Sequence, residues 1–545
     1  MNIDPPLFLS SLLVLASWYL WKSLRSAIIK CRVNLPGPPR AAWFVGNLKQ
    51  FHDANHGMEF LEHVASYGSA VKIHGICGDE QIYISDPRAL HYILLKEQDM
   101  FEESNMGMQT NRLLFGNGLL GTCGAHHKRQ RKMLNPIFSA KHMRSLTPLF
   151  YKITRELGDI LAEKVKGKKC VTVNMLDWMS RISLEIVGQA GMGYSFEVFD
   201  ERDQNEYAHC VRELIPTVFT LQAYLQFIPL LVKIGPPAFR RFLVQLVPSR
   251  RIQRLKKITD TIEQTSQRIL ETKKRAIEQG DEAILKQVGE GKDIISVFLR
   301  ANRQDSESDT LPEAELLAHM STLIFAAHDT TSSALSRILH MLCLHPETQE
   351  TLRNEVTVAM ASHGELSYDD IMALPYLDAV CRETLRLHPP VPFMPRTALR
   401  DTVIPLMIPV KGLDGEMVNE IPIAANQGIV VGIVAANKCN EVWGPDADEW
   451  KPNRWLDPLP SSVYDAHVPS IYSHTLTFLA GGRACIGFKF SELEMKIVIA
   501  LLLQKFRFSL PDDEEIIWRL GSIQTPSTRG RAGERPFLPL QVSMV

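Results

Sequence analysis

Paired cysteines are missing from this 545-residue sequence. Its nine cysteines (Cys31, Cys77, Cys123, Cys170, Cys210, Cys343, Cys381, Cys439 and Cys485) are scattered and odd in number, and no two stand in Cys-x-x-Cys spacing. That argues against a disulfide framework and a structural zinc site, and fits a reducing, cytosol-facing compartment. A charge excess is missing too. The formal net charge is −1, which gives no reason to invoke nucleic acid. There is no internal repeat and no Gly-x-Gly-x-x-Gly nucleotide loop. What is present is a 45% hydrophobic composition, enough for a large core, in a chain whose length alone allows two to four domains.

The N-terminus carries an apolar run, Pro5 to Trp21, broken only by serines. Its length is marginal for a span of about 17–25 residues. Asp4 is the only charge before it, whereas Lys22, Arg25, Lys30 and Arg32 follow, so the bulk of the protein is expected to face the cytosol. A cleaved signal peptide is the rival reading, but the segment lacks a basic start and a small-residue cleavage site. Residues 1–32 are therefore read as an uncleaved, single-pass anchor in the endoplasmic reticulum membrane. Leu35-Pro36-Gly37-Pro38-Pro39 makes a stiff elbow over residues 33–40.

Ala70–Ile76 and Gln81–Ser85 alternate and predict a β-hairpin. From Asp86 onward the pattern is mostly helical. Phe101–Thr122, rich in Gly and Met, predicts a long irregular and functional loop. His126-His127-Lys128-Arg129-Gln130-Arg131-Lys132 predicts a basic helix. Residues 145–300 are helical in period. Within them, Phe227–Val232 and Pro236–Phe239 form a proline-broken apolar patch, either core or a second surface dipping into a membrane. Lys273–Asp309 is polar and predicts exposed connections. Leu311–Leu344 lacks glycine and, after Pro312, proline, and predicts a helix about 50 Å long. Polar residues at its centre, in Phe325-Ala326-Ala327-His328-Asp329-Thr330-Thr331, need a reason, because a buried acid is costly. Val403–Val410, Glu420–Ile423 and Gly428–Val434 predict short strands, and Leu538–Val542 an edge strand.

One cysteine stands apart. Cys485 lies in Phe478-Leu479-Ala480-Gly481-Gly482-Arg483-Ala484-Cys485-Ile486-Gly487, followed by a helical run from about Phe488 to Leu503. Gly481, Gly482 and Gly487 permit positive φ and close approach of the backbone to a flat ligand. Free N–H groups at the helix start favour the thiolate, a soft ligand for iron. Phe-x-x-Gly-x-Arg-x-Cys-x-Gly resembles the haem-binding loop of the cytochrome P-450 family, in which the cysteine is the axial iron ligand. Three further stretches resemble that family in order. Ala326–Thr330 is similar to its oxygen-binding helix, with Ala327 where glycine is usual. Glu383-Thr384-Leu385-Arg386 and Pro452-Asn453-Arg454-Trp455 are similar to its Glu-x-x-Arg pair and the partner arginine, with Trp for Phe. His127 and Arg131 hold the spacing of its Trp-x-x-x-Arg pair, with His for Trp.

The resemblance implies a mainly α fold with a small β-sheet region: one haem-thiolate monooxygenase domain over residues 41–545, plus the N-terminal transmembrane helix. It implies haem b, held by Cys485, with Phe478 as an apolar wall. Arg131, Arg396, Arg483 and His127 would hold the propionates. Asp329 and Thr330 would relay protons to dioxygen. Glu383, Arg386 and Arg454 would brace the cysteine loop. Leu119, Leu120, Leu323, Ala327, Val391, Phe393 and Ile523 would line a pocket for a small lipophilic substrate. The chain has no flavin or NADPH site, so electrons would come from an NADPH-dependent flavoprotein reductase, attracted by His126–Lys132 and Lys141. The His-for-Trp change and the basic run are similar to fungal members, many of which tailor secondary metabolites. A haem-dependent isomerase, dehydratase or coupling enzyme, and a non-catalytic haem-binding membrane protein, stay open as alternatives.

Overall fold

The computed structural model of the protein describes residues 33–200, 205–280, 288, 290–304, 310–531 and 535–545. The anchor predicted over residues 1–32 lies outside them. Among the described residues no helix is long and apolar enough to cross a membrane. The helices that position the site are α1 (Asn105–Phe115), α2 (Gly124–Leu134), α3 (Ala140–Val165), α4 (Met175–Ile186), α5 (Arg250–Gln279), α6 (Ile294–Gln304), α7 (Glu313–Leu344), α8 (Pro375–Leu387) and α9 (Phe488–Lys505).

The long helix is present as α7. It begins after Pro312 and stops at His345, where Pro346 opens the next helix. Glu313 and Glu315 sit in its first turn, where a carboxylate favours the positive helix end. Its 32 residues span roughly 48 Å. From Thr331 to Cys343 every residue is buried. A helix enclosed on all sides must satisfy its polar groups inside the protein. Its most extensive helix partner is α4, while α3 packs along α9. Phe150 of α3 meets Phe490 of α9 edge to face, with ring centroids 5.0 Å apart. Both rings belong to the largest apolar cluster, which joins these four helices.

Four small sheets accompany the helices among the described residues. The largest has the order β1 (Ala70–His74), β2 (Glu80–Ile84), β8 (Gly428–Gly432), β5 (Phe393–Ala398), β3 (Phe101–Glu103). The predicted hairpin is β1–β2, paired from Ala70 opposite Ile84 to His74 opposite Glu80. Antiparallel pairing of β3 with β5 sets Glu103 opposite Arg396. The strands predicted near 403–434 are β6 (Thr402–Lys411), β7 (Met417–Ile423) and β8. The proline elbow is packed, not free: Leu35 is buried, and the Lys72 N–H donates to Pro36 O at 2.9 Å.

Three expectations need correction. Phe101–Thr122 is not one irregular loop but holds β3 and α1. Ser104 Oγ accepts the Gly107 N–H to start α1, and Gly116, at φ +87°, ends it. Leu538–Val542 is not an edge: the last strand (Pro539–Met544) lies between β4 (Val171–Asn174) and β9 (Phe506–Ser509), a pairing with segments distant in sequence. The stretch Lys273–Asp309 is not all exposed. It contains α6, with Ile294, Ile295, Phe298 and Leu299 buried, and an ion pair of 2.8 Å between buried Lys273 and Asp293. Of the two readings left open for the apolar patch, the surface one holds: Phe227, Leu230, Leu231, Phe239 and Phe242 are all exposed.

Candidate active site

The cysteine loop is held open by backbone geometry. Gly481 has φ +67°, and a Cβ there would lie 2.0 Å from Leu94 O, so no other residue fits. Leu479 is also left-handed, at φ +55°, a strain that surrounding packing has to impose. Gly482 and Gly487 do not have positive φ. The Gly482 N–H donates to Gln98 Oε1 at 2.7 Å, while a Cβ on Gly487 would meet nothing within 4 Å. Gly487 therefore keeps open the space that follows Cys485. The Cys485 N–H is tied to Phe478 O at 2.9 Å. Phe478 itself is wedged edge to face against Tyr472, at 5.2 Å.

Cys485 is surrounded by protein, yet its side chain keeps accessible surface, so that surface faces inward. Burial raises the thiol pKa, while the Gly487 N–H and Arg131 lower it. The expected thiolate bias of the loop is present, but burial outweighs it in the protein alone. A cation such as ferric iron at the sulfur would reverse that balance.

The four predicted cationic or donor residues converge. His127, Arg396 and Arg483 line one cleft, together with Glu102, Ala480 and Gly482. Arg483 Nη2 donates to Glu102 Oε2 and to Thr122 O, both at 2.9 Å, and its Nη1 to Leu119 O at 3.4 Å. Arg396 is 2% exposed; its Nη1 lies 3.4 Å from Glu103 Oε1, and its buried Nη2 has no partner among the described residues. Arg131 Nη1 donates to Ala484 O at 2.6 Å, one residue before the cysteine. Burial, then Arg483 and Arg131, push the His127 pKa down to about 4, so the imidazole is neutral at pH 7.

Helix α7 faces this loop. Thr331 Oγ1 and Ser491 Oγ, in the first turn of α9, are 3.1 Å apart. Ala326 is exposed between partly buried neighbours at the helix centre, and the Thr330 hydroxyl donates to its carbonyl at 2.6 Å. The Gln524 side chain donates to Pro389 O and its own N–H to Pro390 O, each at 2.9 Å. Ser333 of α7 donates to Gln524 O at 2.7 Å. Gln524 thereby gathers the segments carrying Val391 and Ile523 against α7. Leu323 and Ala327 pack at the edge of the large cluster. Leu119 is buried beside Arg483, and Leu120 O accepts from Asn111. Phe393 belongs elsewhere: its ring meets Phe51 at 4.4 Å in a separate N-terminal cluster, because β5 turns it to that face. Sequence reasoning missed Phe115 and Phe325, whose rings meet at 4.5 Å. It also missed Gln98, Glu102, Glu103 and Gln524. No motif marks them.

The predicted brace is a closed network. Glu383 and Arg386 are both fully buried and form two parallel hydrogen bonds of 2.8 Å. Glu383 also accepts from Trp455 Nε1 at 2.9 Å, from the Lys451 N–H at 3.0 Å and from Arg454 Nε at 3.4 Å. Arg386 Nη1 donates to Asn437 O and Ala447 O.

A family model described as Cytochrome P-450 matches residues 36–529. The chain belongs to the cytochrome P-450 family. Cytochrome P-450 monooxygenase 91 of Postia placenta is 47% identical over 531 residues, covering 97% of each chain. Ganoderic acid synthetase of Ganoderma lucidum is 41% identical over 535 residues, again 97% of each. Cytochrome P-450 monooxyhenase eriI of Hericium erinaceus is 34% identical over 544 residues. This P-450 is thus a haem-thiolate monooxygenase of fungal type. The residues present fit haem: an inward-facing Cys485, the open space at Gly487, the unpartnered Arg396 Nη2 and the donor cleft all suit an anionic, flat group.

Removing the brace acid should be felt in folding before chemistry. Glu383→Ala takes from buried Arg386 its only carboxylate and from Trp455 Nε1 its acceptor, a loss of about 3–5 kcal/mol. Haem content per chain should fall sharply, and the denaturation midpoint with it. Normal haem content in the variant would contradict a desolvated network.

Proposed function

We propose that this P-450 is held on the endoplasmic reticulum membrane and inserts one atom of O2 into a lipophilic secondary metabolite, using electrons from NADPH passed on by a separate flavoprotein reductase. The observation that carries the reading is the joining of Cys485 and its donor cleft to the polar centre of α7, through Thr331 and Ser491. Cys485 would ligate the iron, and Arg396, Arg483, Arg131 and His127 would hold the propionates. Haem supplies the binding and activation of dioxygen when bound. The relative named ganoderic acid synthetase supports a secondary-metabolite role. The apolar character of the residues near the centre of α7, Phe115, Leu323 and Phe325, supports an apolar substrate.

The residues of α7 handle protons. With its own O–H given to Ala326, Thr330 Oγ1 keeps lone pairs for a water in the groove. Asp329, one residue earlier, faces partly outward and can pass protons to that water. Such a pair argues against an isomerase or dehydratase.

The membrane reading rests on residues 1–32 and on the exposed patch from Phe227 to Leu246. For the reductase, much of the basic helix is already engaged. His126 pairs with Glu315, Lys128 with Asp99, and Arg131 turns inward, so docking charge rests chiefly on exposed Lys132 and Lys141.

Two measurements test this. Thr330→Ala should keep haem, substrate binding and NADPH consumption while diverting electrons to hydrogen peroxide; product per NADPH that stays at the parent level would sink the relay. Deleting Met1–Arg32 should move much of the protein from sedimented membranes to the supernatant, with a residue bound through the patch. Loss of haem on that deletion would make the segment structural, and complete solubility would remove the patch from the account.

A further inference from the structure

His328 stands between Ala327 and Asp329, and its side chain is fully buried at the middle of α7. An imidazole inside a packed helix interface has two ring nitrogens to satisfy. Its Nε2 lies 2.8 Å from Ser180 Oγ on α4, the helix most extensively packed on α7. Its Nδ1 lies 3.0 Å from Asp329 Oδ1. That approach is out of line for a hydrogen bond, so the contact is electrostatic. A carboxylate this close repels a bare nitrogen lone pair. The favoured tautomer therefore keeps the proton on Nδ1, and Nε2 accepts from the Ser180 hydroxyl.

Consecutive side chains on a helix point about 100° apart. The 3.0 Å approach of Asp329 Oδ1 to His328 Nδ1 therefore joins neighbouring side chains that the helix itself would splay apart. Ser180 is itself 8% exposed, so the outer end of the contact is fixed in the core. One oxygen of the acid thus rests against a histidine fixed in the core, while the Asp329 side chain keeps 22% exposure.

We propose that His328, anchored by Ser180, is a positioning residue that fixes the Asp329 carboxylate for proton delivery to the groove. This rests on reading Asp329 and Thr330 as the proton-handling pair.

The test compares four variants: Asp329→Asn, His328→Leu, Ser180→Ala and the His328→Leu/Asp329→Asn double. Each is assayed for product and peroxide per NADPH, for substrate affinity by optical titration, and for thermal midpoint. His328→Leu should lower product per NADPH by at least about threefold and raise peroxide, with substrate affinity within about twofold of the parent. Ser180→Ala should act in the same direction and more weakly. The double variant should be no worse than Asp329→Asn alone, because both changes act through one carboxylate. A residue that only packs would show a lowered midpoint with unchanged coupling, or losses that multiply in the double. Either result overturns the positioning role. If Asp329→Asn itself leaves coupling unchanged, the proton-handling reading fails first and takes this inference with it. Should His328→Leu fail to fold with haem, Ser180→Ala decides alone: unchanged coupling there overturns the proposal.

Discussion

The buried pair of Glu383 and Arg386 is the knot to which the cysteine loop is tied. Both side chains are fully enclosed, so neither charge can be left without the other. From Arg386 the connection runs outward in short steps. Its Nη1 donates to Asn437 O, and the Asn437 amide donates back to Arg386 O and to Thr477 Oγ1. Asn437 Oδ1 accepts the Leu476 N–H, and the Thr477 hydroxyl donates to Leu385 O. Phe478 and the strained Leu479 follow at once. The position of Cys485 is therefore inherited from a salt bridge in another helix. A loop of glycines with no such frame would sample many conformations.

Helix α7 solves a different problem with similar means. It carries His328, Asp329, Thr330, Thr331, Ser332 and Ser333 through the core, where unpaired polar groups cost several kcal/mol. Three of these polar side chains find partners on other elements: Ser180 for His328, Ser491 for Thr331 and Gln524 for Ser333. Thr330 and Ser332 bond back to the helix. The contacts do more than satisfy donors. They fasten the helix to α4, to the first turn of α9 and to the turn carrying Ile523, which fixes the walls of the groove.

What the sequence disclosed followed from how local the cause was. The length of α7 was legible in the absence of glycine and proline, and Gly481 in a spacing that its φ of +67° explains. The Glu383–Arg386–Arg454 network was legible only through family resemblance, since i,i+3 pairs are usually surface pairs. Contacts made across the fold left no local mark. Gln98 under Gly482, Gln524 against Pro389, and Glu103 opposite Arg396 depend on pairing between distant segments. Helix α1 was hidden because its apolar face, Met108 and Phe115, is sparse among polar residues. Phe393 was misplaced because a two-residue period gives the alternation of a strand but not which face meets the site. The upward push of burial on the Cys485 thiol was not legible, because helix-end N–H groups can be read from sequence whereas the depth of burial cannot.

The account stands on Cys485 as the thiolate ligand of haem iron. The reduced, carbon monoxide-treated protein should show the red-shifted Soret band that only a thiolate ligand produces. Cys485→Ser, purified beside it, should lack that band whatever haem it retains. A Cys485→Ser variant that keeps the red-shifted band would place the ligand on another residue and contradict the site built here.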